Sequence, residues 1–226
     1  MPQHGKRYRA AEALREPGRI HEIAEAVQVL AGFPKSKFDE TVEVNLCLGI
    51  DPKKSDQMVR GSISLPHGIG KELRVVVFAE GDKAEEARAA GALEVGSQDL
   101  AQKIQGGWTD FDVSIATPDM MRHVGKLGKI LGPQGKMPSP KAGTVTMDVG
   151  KAVREFRAGK IEFRNDEGGN VGAPMGRRSF STTQLQENIE AFISYVGTLK
   201  PQAAKGTFIS KGTIAATHTP GIRIRV

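Results

Sequence analysis

Residues 74–79 read Arg-Val-Val-Val-Phe-Ala, an apolar run, whereas residues 41–50 alternate without exception. A strand that is apolar at every position suits burial on both faces. Strict alternation suits a strand with one face in a core and the other open to solvent or a partner. In the second segment Val42, Val44, Leu46, Leu48 and Ile50 point one way, and Thr41, Glu43, Asn45, Cys47 and Gly49 point the other. One chain therefore carries the signatures of two different sheets.

The surroundings of each strand agree. Around 74–79, strand and helix patterns alternate: an Ala/Glu-rich helix at 82–90, a short strand at 93–95, and a helix at 97–105 with Ser97 placed to cap it. A strand at 111–116, a helix from about 118 to 127, a strand at 143–147 and a helix at 150–157 follow. That order predicts a parallel sheet covered on both faces. Outside this stretch the pattern is a helix at 20–31, strands at 42–50, 61–65, 160–164 and 171–175, a helix at 182–196, and strands at 207–216 and 222–226. The first sixteen residues read as a basic, mobile arm.

The expected fold is thus an α+β domain with an antiparallel sheet, interrupted by an inserted three-layer α/β domain with a mainly parallel sheet. Residues 1–68 and 159–226 form the outer domain, and 69–158 the insert. Two chain crossings at one place, near Gly68, Gly70 and Gly159, make a natural hinge.

Charge separates along the same line. The chain has 226 residues and a formal charge of +6. Lys and Arg outnumber Asp and Glu by 13 to 12 within 69–158 but by 19 to 14 outside it. The basic excess belongs to the outer domain and suggests a polyanionic partner. Aromatics are only 5 % of the chain, which disfavours a binder built on rows of stacking rings. No apolar run is long enough to span a membrane, and the first ten residues lack a signal-peptide core, so a cytosolic protein is expected.

Enzyme motifs fail when checked. None of the Gly-Lys pairs has the upstream Gly and following Ser or Thr of a phosphate loop, and no G-x-G-x-x-G follows a strand. His21-Glu22 begins a metalloprotease-like pattern that ends in Glu25 where a second His is required. The five His are dispersed, and the single Cys47 has no positioned base. No cofactor and no metal are expected.

Two stretches stand out instead. Residues 125–143, GKLGKILGPQGKMPSPKAG, combine Lys with Gly and Pro and have no acid from Gly125 to Met147. Gly lets a backbone approach a phosphate closely, and Lys supplies charge. The alternative is an ordinary soluble loop. In KSKFDETVE, residues 35–43, Lys35 and Lys37 flank the approach to Phe38. A ring beside two cations can pack on a ribose or base, or it can anchor the loop in the core.

Taken together, KFDETVEVNLCLGIDPKKSDQMVRG (37–61), LPHGIGK (65–71), DFDVSIATPDMM (110–121), ILGPQGKMPSPKAGTV (130–145), GKIEFRND (159–166) and KGTF (205–208) resemble the bacterial L-one family of large-subunit ribosomal proteins. The similarity runs essentially the whole length, and the block at 132–141 is the most specific. The resemblance implies the same interrupted two-domain layout and no enzymatic activity. It implies a cytoplasmic, ribosome-associated monomer that binds the mobile stalk of large-subunit rRNA and assists release of tRNA from the exit site. It also implies translational repression through the mRNA of its own operon. The family's RNA surface maps onto Lys37, Phe38, Thr41, Glu43 and Thr217. A weaker contact from the insert maps onto Lys126, Lys129 and Lys136. The chain departs from the family near its end, with Thr217-His218-Thr219-Pro220 for the usual Thr-Met-Gly-Pro and Lys211 where Ser is common. Lys211 and His218 could add phosphate contacts, and Thr219 adds a side chain where close backbone approach is usual. A nucleotide-dependent enzyme and a free-standing mRNA repressor are the rival classes.

Overall fold

The computed structural model describes residues 4–226, which fall into two compact units. One holds the residues up to Gly70 together with Ile161–Val226, and the other is Lys71–Lys160. In chain order the elements are α1 (Lys6–Leu14), α2 (Ile23–Gly32), β1 (Thr41–Leu48), β2 (Arg60–Ser64), β3 (Val75–Phe78), α3 (Asp82–Ala89) and β4 (Glu94–Gly96). Next come α4 (Gln98–Gln105), β5 (Val113–Ala116), α5 (Met121–Val124), α6 (Gly128–Leu131) and α7 (Val149–Arg157). The chain closes with β6 (Lys160–Arg164), β7 (Asn170–Arg177), α8 (Thr182–Thr198), β8 (Ile209–Ala216) and β9 (Ile222–Ile224).

The first unit is built on a four-stranded sheet of order β7-β1-β8-β9, antiparallel throughout, with β2 and β6 forming a separate pair. Val42, Val44, Leu46 and Leu48 are buried, and Glu43 and Asn45 between them are exposed. The alternation of β1 therefore sorts its side chains as the pleat requires. α8 begins with a full capping box: Ser181 Oγ accepts from the Gln184 N–H, and Gln184 Oε1 accepts from the Ser181 N–H.

The second unit has a three-stranded parallel sheet, β4-β3-β5. Here the unbroken apolar run of β3 is explained. Val75 and Val77 join a cluster with Ala87, Val153 and Phe156, contributed by α3 and α7. Val76 and Phe78 join a different cluster with Leu100, Ile104, Val124 and Leu131, contributed by α4, α5 and α6. Each face of the strand serves its own core, so the three layers follow from period 2.

Several expectations need correction. Residues 6–14 form a helix rather than an arm: Ala11 is buried, and Arg15 Nη1 donates to the Gly221 carbonyl at 3.1 Å. Met1 to Gln3 of that stretch lie outside the described residues. Ser97 does not cap α4 through its side chain; its own N–H donates to Asp99 Oδ1 at 2.8 Å. Residues 143–147 are not a strand but one parallel bridge, Ala116 to Val145. Ala116 exchanges two backbone hydrogen bonds with Thr144 and Thr146, while Thr144 is also tied back to Ser139 through its N–H and its hydroxyl, so pairing with β5 stops at that one bridge. The helix near 118–127 is a succession of short turns that extends to Leu131.

β7 carries a bulge opposite β1. Val42 pairs with Gly176 and Glu43 with Pro174, leaving Met175 unpaired. The freed Met175 carbonyl accepts from Asn188 Nδ2 at 2.8 Å. Gly176 has φ 144°, and a Cβ there would lie 2.8 Å from the Phe180 ring. Gly176→Ala is expected to lower stability by about 1–3 kcal/mol. Urea unfolding checks it, and an unchanged midpoint would mean that the bulge relaxes freely.

Candidate nucleic-acid interface

The interface candidate is the open side of the four-stranded sheet. Its register places outward side chains in cross-strand rows: Glu43 with Pro174 and Ala215, Asn45 with Gly172 and Thr213, and Cys47 with Asn170 and Lys211. The neighbours of β1 in the first two rows are small, so the face has low relief around the exposed Glu43 carboxylate. Such a surface admits close approach of a sugar–phosphate backbone.

One end of this face is the most elaborate. β1 begins at Thr41, whose N–H donates to Thr217 Oγ1 at 3.3 Å and whose carbonyl accepts from the Thr217 N–H at 3.1 Å. Arg177 Nη1 donates to Thr41 Oγ1 at 2.9 Å and to the Asp39 carbonyl at 3.3 Å. The Thr41 and Thr217 hydroxyls are thus oriented before any partner arrives. After β8 the chain turns at residues 216–219. The Thr219 N–H donates to the Ala216 carbonyl at 3.0 Å, and Thr219 Oγ1 accepts from the Ala216 N–H at 2.9 Å. His218 takes the left-handed conformation this turn needs, φ 63°. Its ring meets Phe38 edge to face, centroids 6.3 Å apart.

Phe38 is 53 % exposed, which decides between the two readings of that ring. The buried ring of the loop is Phe33, at 2 %. The structure therefore gathers Phe38, Thr41, Thr217 and His218 at one end of the open face, with the exposed Lys37 beside Phe38 in the chain and Glu43 one row along. Lys211 is exposed on the same face but opposite Cys47, near the other end. Thr219 directs its hydroxyl into its own turn. Lys37, Glu43 and Lys211 have no ion-pair partner among the described residues.

Beneath this end lies a buried ion pair. Arg178 Nη1 meets Glu40 Oε2 at 2.5 Å, with side chains 6 % and 1 % exposed. The same guanidinium donates to the Leu30, Phe33 and Pro34 carbonyls, where α2 ends. The pair thereby ties the loop carrying Lys37 and Phe38 to the end of a core helix. The adjacent residues Arg177 and Arg178 serve opposite sides of the sheet, and neither was singled out from sequence. An Arg-Arg dipeptide at a strand end is the local signal, but its partners are about 140 positions away.

In the second unit the backbone of residues 118–131 stays helical from turn to turn. Leu127 and Leu131 are buried, and Lys126 and Lys129, three apart, are exposed side by side. Arg122, also exposed, extends that row by one turn. Lys136 does not join it: Nζ donates to the Thr109 carbonyl at 2.9 Å and lies 5.2 Å from the Phe111 ring centroid. Among the described residues no group of three His, Cys, Asp or Glu could hold a metal ion. Among the described residues no helix is long and apolar enough to cross a membrane.

The sequence model of the Ribosomal protein L1p/L10e family matches residues 30–220. The large ribosomal subunit protein uL1 of Kosmotoga olearia is 54 % identical over 224 residues, covering 99 % of this chain and 97 % of the relative. The same protein of Chlamydia caviae is 54 % identical, and that of Chlamydia trachomatis serovar L2b 52 %, over the same shares.

Proposed function

Because the chain belongs to the Ribosomal protein L1p/L10e family and is a structural constituent of the large ribosomal subunit, we propose that its first unit binds the mobile stalk of large-subunit rRNA through the open face of β1 and β8. The observation that carries this is the gathering of Phe38, Thr41, Thr217 and His218 at one end of an otherwise uncovered sheet face. Phe38 packs on a ribose or base. The pre-oriented Thr41 and Thr217 hydroxyls and the Glu43 carboxylate meet 2′-hydroxyls and base donors. Lys37 and Lys211 contact phosphates. His218 steadies the Phe38 ring, and Thr219 acts by holding the turn.

The charge is divided between the units nearly in proportion to their lengths. With the crossings at 70/71 and 160/161, Lys and Arg exceed Asp and Glu by 18 to 14 in the first unit and by 14 to 12 in the second. The second unit, interrupting the first, swings about the double crossing and meets the departing exit-site tRNA with Lys126 and Lys129. Lys136 supports that surface from within through its bond to Thr109. The same sheet face binds the mRNA of the chain's own operon and represses its translation. In this proposal the protein acts as a cytoplasmic monomer on the ribosome.

The test is a titration of the full chain with the stalk segment of its own large-subunit rRNA and with an unrelated RNA of equal length, at several salt concentrations. Specific affinity should exceed non-specific affinity by about 10³-fold or more, as is common for specific nucleic-acid complexes. The double variant Lys126→Gln/Lys129→Gln should leave that ratio within about twofold, because phosphate contacts carry no sequence information. Equal affinity of the wild type for both RNAs would remove the stalk as the partner.

A further inference from the structure

The first unit also has an open recess of about 370 Å³ at the β9 edge of the sheet. Its lining includes Arg15, Glu16, Arg19, His21, Thr213 and Arg223. The segment before α2 builds it. The His21 N–H donates to the Arg223 carbonyl at 3.0 Å, and the Arg225 N–H donates to the His21 carbonyl at 2.9 Å, so His21 joins β9 as a single parallel bridge. Arg15, just past the end of α1, is held by its bond to the Gly221 carbonyl.

The charges of the recess do not cancel. Its one lining acid, Glu16, is taken by Arg19 at 2.9 Å, and Glu25 lies 3.6 Å from the same guanidinium. Arg15 has only Glu12, at 4.0 Å. Arg223 is exposed and has no acid within 4 Å among the described residues. His21 is 4 % exposed, and its Nδ1, without a hydrogen bond among the described residues, lies 3.6 Å from the Glu25 carboxylate. The Arg15 and Arg223 guanidiniums thus remain available on one recess, a pair suited to a phosphate group.

The recess also continues the interface. Thr213 pairs with Asn45 on one side and Arg223 on the other, so Asn45, Thr213 and Arg223 form one outward row across β1, β8 and β9. Along β8 this row is four residues from Thr217, about 14 Å at ~3.4 Å per residue.

We infer that this recess is a phosphate site, in which Arg15 and Arg223 hold a backbone phosphate of the RNA strand that crosses the open face. The inference rests on the proposed rRNA interface and extends it to the N-terminal segment and β9. Arg223 supplies the free charge, Arg15 the anchored one, and Arg19 with Glu16 shapes the wall.

The experiment compares full-length wild type, Arg223→Gln, Arg223→Lys and Arg15→Gln/Arg223→Gln by titration with the stalk RNA from 0.05 to about 0.5 M salt. Unfolding midpoints are measured alongside. Arg223→Gln should weaken binding about fivefold near 0.1 M salt and reduce the log affinity against log salt slope by about one, with the preference for stalk RNA unchanged. Arg223→Lys should keep most of both. An unchanged slope in Arg223→Gln and in the double variant, with wild-type discrimination intact, overturns this site alone. Failure of the wild type to discriminate stalk RNA overturns the interface and the site together. If inorganic phosphate raises the unfolding midpoint of wild type but not of Arg223→Gln, while the RNA slopes coincide, the recess holds a free anion and its assignment to RNA is overturned.

Discussion

Arg178→Ala is expected to lower the unfolding free energy by about 3–5 kcal/mol, a large share of what a single domain possesses. The substitution leaves Glu40 charged in a site where it is 1 % exposed, with only Arg7 nearby at 3.7 Å. It also removes the donor shared by the Leu30, Phe33 and Pro34 carbonyls at the end of α2, of which Leu30 keeps its bond from the Phe33 N–H at 3.2 Å. Arg178→Lys should rescue little, because one ammonium cannot reach the acceptors that the planar fork spans. Replacing both partners, as in Glu40→Gln/Arg178→Met, should recover part of the loss, since no unpaired charge remains. Urea unfolding of the four proteins measures this. A loss below about 1 kcal/mol in Arg178→Ala would mean that water reaches Glu40 and that the pair is not structurally decisive.

Phe38→Ala and Thr217→Val are each expected to weaken specific RNA binding by about 5- to 150-fold, or 1–3 kcal/mol, without changing the salt dependence. Neither side chain carries charge, so neither releases counterions. Lys37→Gln should do the opposite: weaken binding to every RNA alike and reduce the salt slope by about one. The two effects separate contacts that read the RNA from contacts that hold it. Thr217→Val also removes the acceptor of the Thr41 N–H, so its unfolding midpoint must accompany the affinity. Wild-type affinity in both Phe38→Ala and Thr217→Val would place the RNA elsewhere on the molecule. The pair is close enough to couple, because His218, next to Thr217 in the chain, packs on the Phe38 ring, so the double variant should lose less than the sum.

Much of the fold was legible because it is written at short range. Alternation at 41–50 identified an open-faced strand, and the run at 74–79 identified one enclosed by two cores. Where the pattern was weak, the expectation missed. α1 has a single buried residue, Ala11, so no apolar stripe betrayed it. Residues 128–131 fell beyond the expected helix because Gly125 and Gly128 are poor helix residues, yet burial of Leu127 and Leu131 holds the turns in place. The candidate site shows the same division. Thr41 and Glu43 were assignable to an outward face from alternation, whereas the resemblance alone brought Thr217 to them. Lys136 illustrates the limit: no local pattern reveals that the Thr109 carbonyl, 27 positions away, takes its ammonium.

By itself the sequence determined the two kinds of sheet and the interruption of one unit by another. Periodicity and composition are local quantities, and these features need nothing more. Only the tertiary structure decided that Phe38 is exposed, that Arg177 orients Thr41, that Arg178 turns inward to Glu40, and that Arg15 and Arg223 share a recess. Each of these depends on groups up to 208 positions apart, brought together by strand register and helix packing. A side chain's charge is written in its own residue, but its solvent and its partners are set by the fold.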